Sequence, residues 1–139
     1  MLLLMLSLAV TLASPQLTMG FDQNRTVHHF LLRSNGGVIQ VEVKDPGDGT
    51  NRMAIRAHLR TIALEFAAGR FDAPLATHGE EPPGTSVMRD LRGSIRYLAE
   101  DTDNGARLRL ISNDPRAVAA IREFLVYQIR EHRTGDPTQ

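Results

Sequence analysis

The feature that most constrains the fold is an internal duplication. Residues 120–135, which begin Ala-Ile-Arg and end in Gly, have a counterpart 66 residues upstream at 54–69. An Asp-Pro pair precedes each copy, at Asp45-Pro46 and at Asp114-Pro115. Both copies carry apolar residues at the spacing of an amphipathic helix, and glycine is a common residue just past a helix end. The chain is therefore expected to contain two related halves, each with one helix.

Two β-strands are predicted ahead of each helix. Residues 26–33 and 38–44 alternate between apolar and polar side chains, and so do residues 94–99 and 106–112, with turn residues between the members of each pair. We predict that Thr50 or Asn51 caps the first helix and that Asp114 caps the second. The predicted buried stripes are Ile55, Leu59, Ile62 and Phe66, then Val118, Ile121, Leu125 and Ile129, with Phe124 on the flank of the second stripe.

The resulting order, β-β-α-β-β-α, predicts an α+β fold. A four-stranded antiparallel sheet with both helices on one face is the simplest arrangement that buries every apolar stripe. With 139 residues, 42% of them hydrophobic, the chain can bury one core. We therefore predict a single domain over 26–135, with repeat units 26–69 and 94–135 and a tail at 136–139. The connection 70–93 is predicted to be irregular apart from a short helical turn at 85–91, and connections of this length are often functional.

The first 13 residues are predicted to be a signal peptide. They form an apolar run, with the small residues Thr11 and Ala13 before a cleavage site, and a polar lead-in follows at 14–25. The run is too short to span a bilayer comfortably, although the lack of a basic residue ahead of it leaves an uncleaved anchor as the alternative. The absence of cysteine excludes disulfides, thiolate metal sites and a lipoprotein anchor. We expect a periplasmic or secreted protein with no stable membrane insertion after signal cleavage.

Charge argues against nucleic acid as a partner. Sixteen basic and sixteen acidic residues give a formal net charge of zero, whereas nucleic-acid-binding domains carry a basic excess. The open face of the predicted sheet is basic but lacks the aromatic platforms of RNA-binding sheets. We interpret it as a solvated face or as the contact surface of a homodimer or a periplasmic partner; its basic residues are Arg33, Arg96, Arg107, Arg109 and Lys44.

Histidine and methionine supply the candidate metal ligands. Imidazole and thioether groups suit copper, and imidazole with carboxylate suits zinc. The candidates are His28, His29, His58, His78 and Met19. Their spacing matches no metal-binding motif, so the alternative is that these side chains are structural or solvated.

The repeat also indicates a candidate pocket. At the positions that Ile62 and Phe66 occupy in the first helix, the second helix carries Gln128 and His132. His58 of the first helix is likewise equivalent in the repeat to Phe124 of the second. A buried amide needs hydrogen-bond partners. Gln128 and His132 are therefore expected either to line a pocket with His58 or to bond the backbone near the end of the helix.

An enzymatic interpretation finds little support in the motifs. Asp72, Glu80 and Glu81 share the long connection with His78 and could supply an acid–base pair. However, the sequence contains no nucleophile elbow, no glycine-rich phosphate loop and no HExxH motif. A non-enzymatic role is therefore favoured.

Two terminal stretches resemble an uncharacterised family of small exported bacterial proteins. They are Met19-Gly-Phe-Asp-Gln with the following Thr-Val-His-His-Phe30, and Glu131-His-Arg-Thr-Gly-Asp136. The resemblance implies export and a single domain, but no activity or ligand set. We predict an exported binding or accessory protein that uses histidines to hold copper or zinc. The alternative is a metal-free interaction module that forms a homodimer or docks on a partner.

Overall fold

The structure, a computed structural model, describes residues 19–139. The predicted signal peptide and residues 14–18 of the lead-in lie outside this range. Within residues 19–139, no helix is both long enough and apolar enough to cross a membrane. The elements in order are a 3-10 turn at Gln23–Arg25, β1 Thr26–Arg33, β2 Gly36–Val43, α1 Gly49–Ala67, α2 Asp72–His78, α3 Thr85–Asp90, a 3-10 turn at Arg92–Ser94, β3 Ile95–Thr102, β4 Gly105–Ser112 and α4 Pro115–His132.

The four strands form one antiparallel sheet in the order β1-β2-β4-β3. The predicted α+β fold is confirmed. Each half supplies one hairpin, and the two hairpins join through β2 and β4 at the centre of the sheet. Helix α1 packs mainly on β3 and β4, whereas α4 packs mainly on β1 and β2, so each helix covers chiefly the other half's strands.

The duplication is visible in the elements but with two different offsets. The 3-10 turns and the strands repeat every 69 residues, and the long helices repeat every 66. The difference arises because five residues connect β2 to α1 but only two connect β4 to α4. The prediction that Thr50 or Asn51 caps α1 is wrong. Asp48 is the cap, and its carboxylate accepts the Asn51 N–H at 3.2 Å, as the Asp114 carboxylate accepts the Arg116 N–H at 2.9 Å in α4.

The core lies between the inner face of the sheet and the two long helices. The predicted stripe of α1 is confirmed, because Ile55, Leu59, Ile62 and Phe66 are all buried. In α4 the stripe is rotated from the prediction: Phe124 is buried and Val118 is only partly buried. Helix α3 explains this rotation, since it packs against α4 on the side of Ala120. The buried positions of α4 are Ala117, Ala120, Ile121, Phe124, Leu125, Gln128 and Ile129.

The connection 70–93 is more regular than predicted. The expected helical turn near 85–91 is α3, and an unpredicted helix, α2, precedes it. Pro74 does not interrupt this helix, because it lies in the first turn of α2, where proline removes no helical hydrogen bond. Helix α2 ends at His78, and the following Gly79 has a left-handed φ of 74°. This ending sets His78 against α4.

Candidate functional site

A half-enclosed cavity of about 60 Å³ lies beneath α2, between the sheet and the two long helices. Aliphatic and aromatic side chains from β1, β2, α1 and α4 form most of its wall. Six of the seven residues proposed from the sequence as ligands or pocket residues line it: Met19, His28, His58, His78, Gln128 and His132. Residues from five separate parts of the chain therefore converge on one cavity.

Each histidine arrives from a different element. His28 projects from the inner face of β1, between the buried residues Thr26 and Phe30. His58 lies in the middle of α1, His78 is the last residue of α2, and His132 is the last residue of α4. All four side chains are partly exposed, so the cavity is accessible to solvent on the histidine side.

Contacts between aromatic rings connect these histidine side chains in series. The centroids of His28 and His132 are 5.1 Å apart, and those of His132 and His78 are 5.2 Å apart. Phe21 joins His58 to the group, because its centroid lies 5.9 Å from that of His28 and 5.6 Å from that of His58. His132 is thus the central imidazole. The sequence had assigned it to a pocket but not to the metal ligands, although its place opposite Phe66 in the repeat was the signal that marked it.

Gln128 is the polar residue most deeply buried in the wall. Its Oε1 accepts a hydrogen bond from His78 Nε2 at 2.8 Å, while its Nε2 is buried and has no protein partner. The alternative expectation, an amide bonded to loop backbone, is not what the structure has. An amide N–H₂ without a partner is costly when buried, so this group is available to an acceptor atom in the cavity.

Burial keeps the central imidazoles neutral. Desolvation, followed by repulsion from His58 and His29, lowers the pKa of His28 to about 4. Desolvation, followed by repulsion from His28 and His78, lowers the pKa of His132 to about 4, and desolvation also lowers the pKa of His58. A neutral imidazole has one nitrogen with a free lone pair. At neutral pH these side chains can therefore act as acceptors or as metal ligands.

His29, the remaining candidate ligand, lies away from the cavity. Successive residues of a strand point to opposite faces, so His29 does not line the cavity that His28 lines, although both border the outer cleft beside it. The His29 Nδ1 is paired with the Asp136 carboxylate at 2.9 Å, and the other oxygen of Asp136 accepts the Phe30 N–H at 3.0 Å. These contacts fix the C-terminal tail against the edge strand β1. His29 therefore lies outside the cavity that the other four candidate ligands line.

In the other half of the chain, the equivalent positions are occupied by a tyrosine and a phenylalanine. Tyr97 is the counterpart of His28 at the strand offset, and Phe66 is the counterpart of His132 at the helix offset. Their centroids are 5.8 Å apart, so the same strand–helix contact exists in both halves. A packed aromatic pair is thus sufficient for the scaffold. The two imidazoles are an addition that folding alone does not require.

The other candidate features lie outside this cavity. Glu81 is paired with Arg89 at 2.6 Å, Glu80 accepts the Tyr127 hydroxyl at 2.7 Å, and neither carboxylate lines the cavity with His78. Asp72 does not line the cavity either. On the open face of the sheet, Arg107 and Arg109 both pair with Glu100, which reduces the positive charge expected there.

Among residues 19–139, no three or more His, Asp or Glu side chains are grouped so that they could hold a metal ion together. Any metal site at this cavity must therefore use fewer imidazoles and another donor type. Comparisons with protein-family models, curated proteins and solved structures give no match.

Proposed function

We propose that this chain is a small exported binding protein whose histidine-lined cavity holds a transition-metal ion. The observation that carries the proposal is the pair formed by His28 and His132, two neutral imidazoles in contact within a largely apolar cavity. Met19 lines the same cavity and offers a thioether as a third donor. Two imidazoles with a thioether agree with the absence of a three-residue His, Asp or Glu group among the described residues.

The spacing of the two rings supports the proposal. A metal–nitrogen bond of about 2.1 Å, with about 1.1 Å more to the ring centre, puts each centroid about 3.2 Å from the ion. Two such rings at a tetrahedral angle of about 109° have centroids about 5.2 Å apart. The centroids of His28 and His132 are 5.1 Å apart, and the two rings are stacked with an angle of 24° between their planes. An ion could thus be accommodated with rotation of the rings and little movement of β1 or α4.

Metal titration tests the proposal directly. The metal-free protein, without residues 1–13, is titrated with Cu(I), Cu(II) and Zn(II) at neutral pH. We expect one ion per chain, with a dissociation constant below micromolar for at least one metal. The His132→Phe variant introduces the residue found at the equivalent position, so it should keep the fold and lose at least about 100-fold in affinity. The matched control is His29→Ala, which alters a histidine outside the cavity and should bind as the unaltered protein does.

Two results would refute the metal proposal. The first is the absence of binding tighter than micromolar for all three ions. The second is equal loss of affinity in His132→Phe and His29→Ala, because that would place the ion outside the cavity. Circular dichroism and thermal unfolding of each variant show whether the fold is retained.

The second candidate is a metal-free module that forms a homodimer through the open face of the sheet. One row across this face is largely apolar: Leu31 pairs with Val38, and Leu98 lies on the far side of Arg109 in the same register. Leu98 is 37% exposed. Light scattering over a range of protein concentrations tests this function. A dimer that Leu98→Asp converts to a monomer would support it, and a monomer at every concentration would refute it.

A further inference from the structure

The donor atoms of the cavity carry no negative charge. Among the described residues that line it, none is Asp or Glu; the side-chain donors are imidazoles, the Met19 thioether, the Gln128 amide and the Thr77 hydroxyl, all of them uncharged. The nearby carboxylate of Asp136 is already bonded to His29 and to the Phe30 N–H. A metal ion in this cavity would therefore keep its full formal charge.

Because its ligands are uncharged, the cavity discriminates between metal ions by the charge of the ion. The cost of moving an ion from water into a medium of low dielectric constant rises with the square of its charge, so a divalent ion costs about four times as much as a monovalent ion of the same size. Carboxylate or thiolate ligands normally offset this cost at zinc sites, and none lines the cavity. A monovalent ion is therefore favoured.

Positive charges at the rim of the cavity also favour a monovalent ion. His28 and His132 also line an outer cleft, so the imidazole pair forms the wall between the cavity and solvent. Lys44 and Arg133 line the same cleft. Their positive charges repel a divalent ion about twice as strongly as a monovalent one at the same distance.

Donor softness identifies the monovalent ion. Thioether groups are soft ligands that select Cu(I), and imidazole also binds copper. We infer that the cavity is selective for Cu(I) and holds it through His28, His132 and the thioether of Met19. This inference rests on the proposed function and specifies its ion. Binding involves no electron transfer, so the copper is supplied and retained as Cu(I).

Competition for two metals tests the selectivity. The metal-free protein competes for Cu(I) with bathocuproine disulfonate under anaerobic, ascorbate-containing conditions, and for Zn(II) with a chromophoric zinc chelator. We expect the Cu(I) affinity to exceed the Zn(II) affinity by at least about 1,000-fold. Met19→Leu should lower the Cu(I) affinity by about 10- to 100-fold and leave the weak Zn(II) affinity unchanged. Met53→Leu is the matched control, because Met53 is 71% exposed on α1 and does not line the cavity.

The possible outcomes distinguish a failure of this inference from a failure of the proposed function. Zn(II) binding as tight as Cu(I) binding would overturn the selectivity but leave a metal-binding cavity. Cu(I) selectivity that survives Met19→Leu unchanged would overturn the thioether ligand. Failure of both ions to bind would overturn the inference and the proposed function together.

Discussion

Acidification from pH 7 to pH 5 is expected to destabilise the metal-free protein through His28 and His132. Each has an ordinary pKa of 6.5 that falls to about 4 in the folded chain, mainly because the ring is buried. Between these values the unfolded chain binds more protons than the folded chain. The free energy of unfolding is therefore not reduced by these two residues above pH 6.5. It falls as the pH drops from 6.5 toward 4, because protons bind the unfolded chain more tightly.

The expected magnitude follows from these pKa values. At pH 5 an unfolded histidine of pKa 6.5 is almost fully protonated, whereas a folded one of pKa about 4 is not. The difference amounts to about 2 kcal/mol per residue, or about 4 kcal/mol for the pair. His58 contributes in the same direction, since its pKa is also lowered. Carboxylates add little above pH 5, because their unfolded pKa values lie lower. This loss is a large share of the 5–15 kcal/mol typical of a folded domain.

Urea unfolding at several pH values, with a chelator present, measures the effect. His132→Phe provides the comparison, because phenylalanine occupies the equivalent position in the first half of the chain and cannot take up a proton. The variant also removes the charge repulsion between His28 and His132. Its loss of stability between pH 7 and pH 5 should therefore be smaller than that of the unaltered protein by about 2 kcal/mol or more. Equal pH dependence in the two proteins, or stability independent of pH over this range, would refute the reasoning.

Three further substitutions test other parts of the structure. Gln128→Ile removes the buried Nε2 that has no partner, together with the Oε1 that accepts from the partly exposed His78, whose ring can bond to water instead. Urea unfolding of the metal-free protein should therefore show a net gain of about 1 kcal/mol; a loss would mean that the amide is satisfied. Asp136→Ala removes the carboxylate that bonds His29 and the Phe30 N–H, and should cost about 1–3 kcal/mol and speed amide exchange at Phe30; unchanged exchange would mean that the tail is not held there. Gly84→Ala should cost about 3 kcal/mol or more in thermal unfolding, because a Cβ would overlap the Ala120 carbonyl. The control for that variant, Gly79→Ala, also has positive φ but meets nothing within 4 Å and should cost only about 1 kcal/mol; equal losses would disprove the overlap.

The fold could be predicted because the signals were local and occurred twice. Alternating strands and a helix of period 3.6 in each half leave few ways to bury the apolar faces. The errors came from tertiary contacts that a local pattern does not contain. The cap of α1 depends on the longer connection after β2, which shifts the counterpart of Asp114 from Asp45 to Asp48. Helix α2 was not predicted, and the position of Pro74 in its first turn became clear only from the structure.

The site could be predicted only in part for a related reason. The repeat marked Gln128 and His132 as departures from an apolar pattern, and both line the cavity. Sequence proximity grouped His29 with His28, but strand alternation keeps His29 out of the cavity that His28 lines. The contact between His28 and His132 joins residues 104 positions apart, and no periodicity within one element could reveal it.

Anomalous diffraction from crystals grown with Cu(I) tests the central proposal most directly, because it locates the ion. We predict one anomalous peak per chain at the copper edge, between the imidazoles of His28 and His132 and within bonding distance of the Met19 sulfur. Crystals of His132→Phe should lack this peak. A peak at His29 and Asp136, or no peak in crystals of the unaltered protein, would contradict a copper site in the cavity.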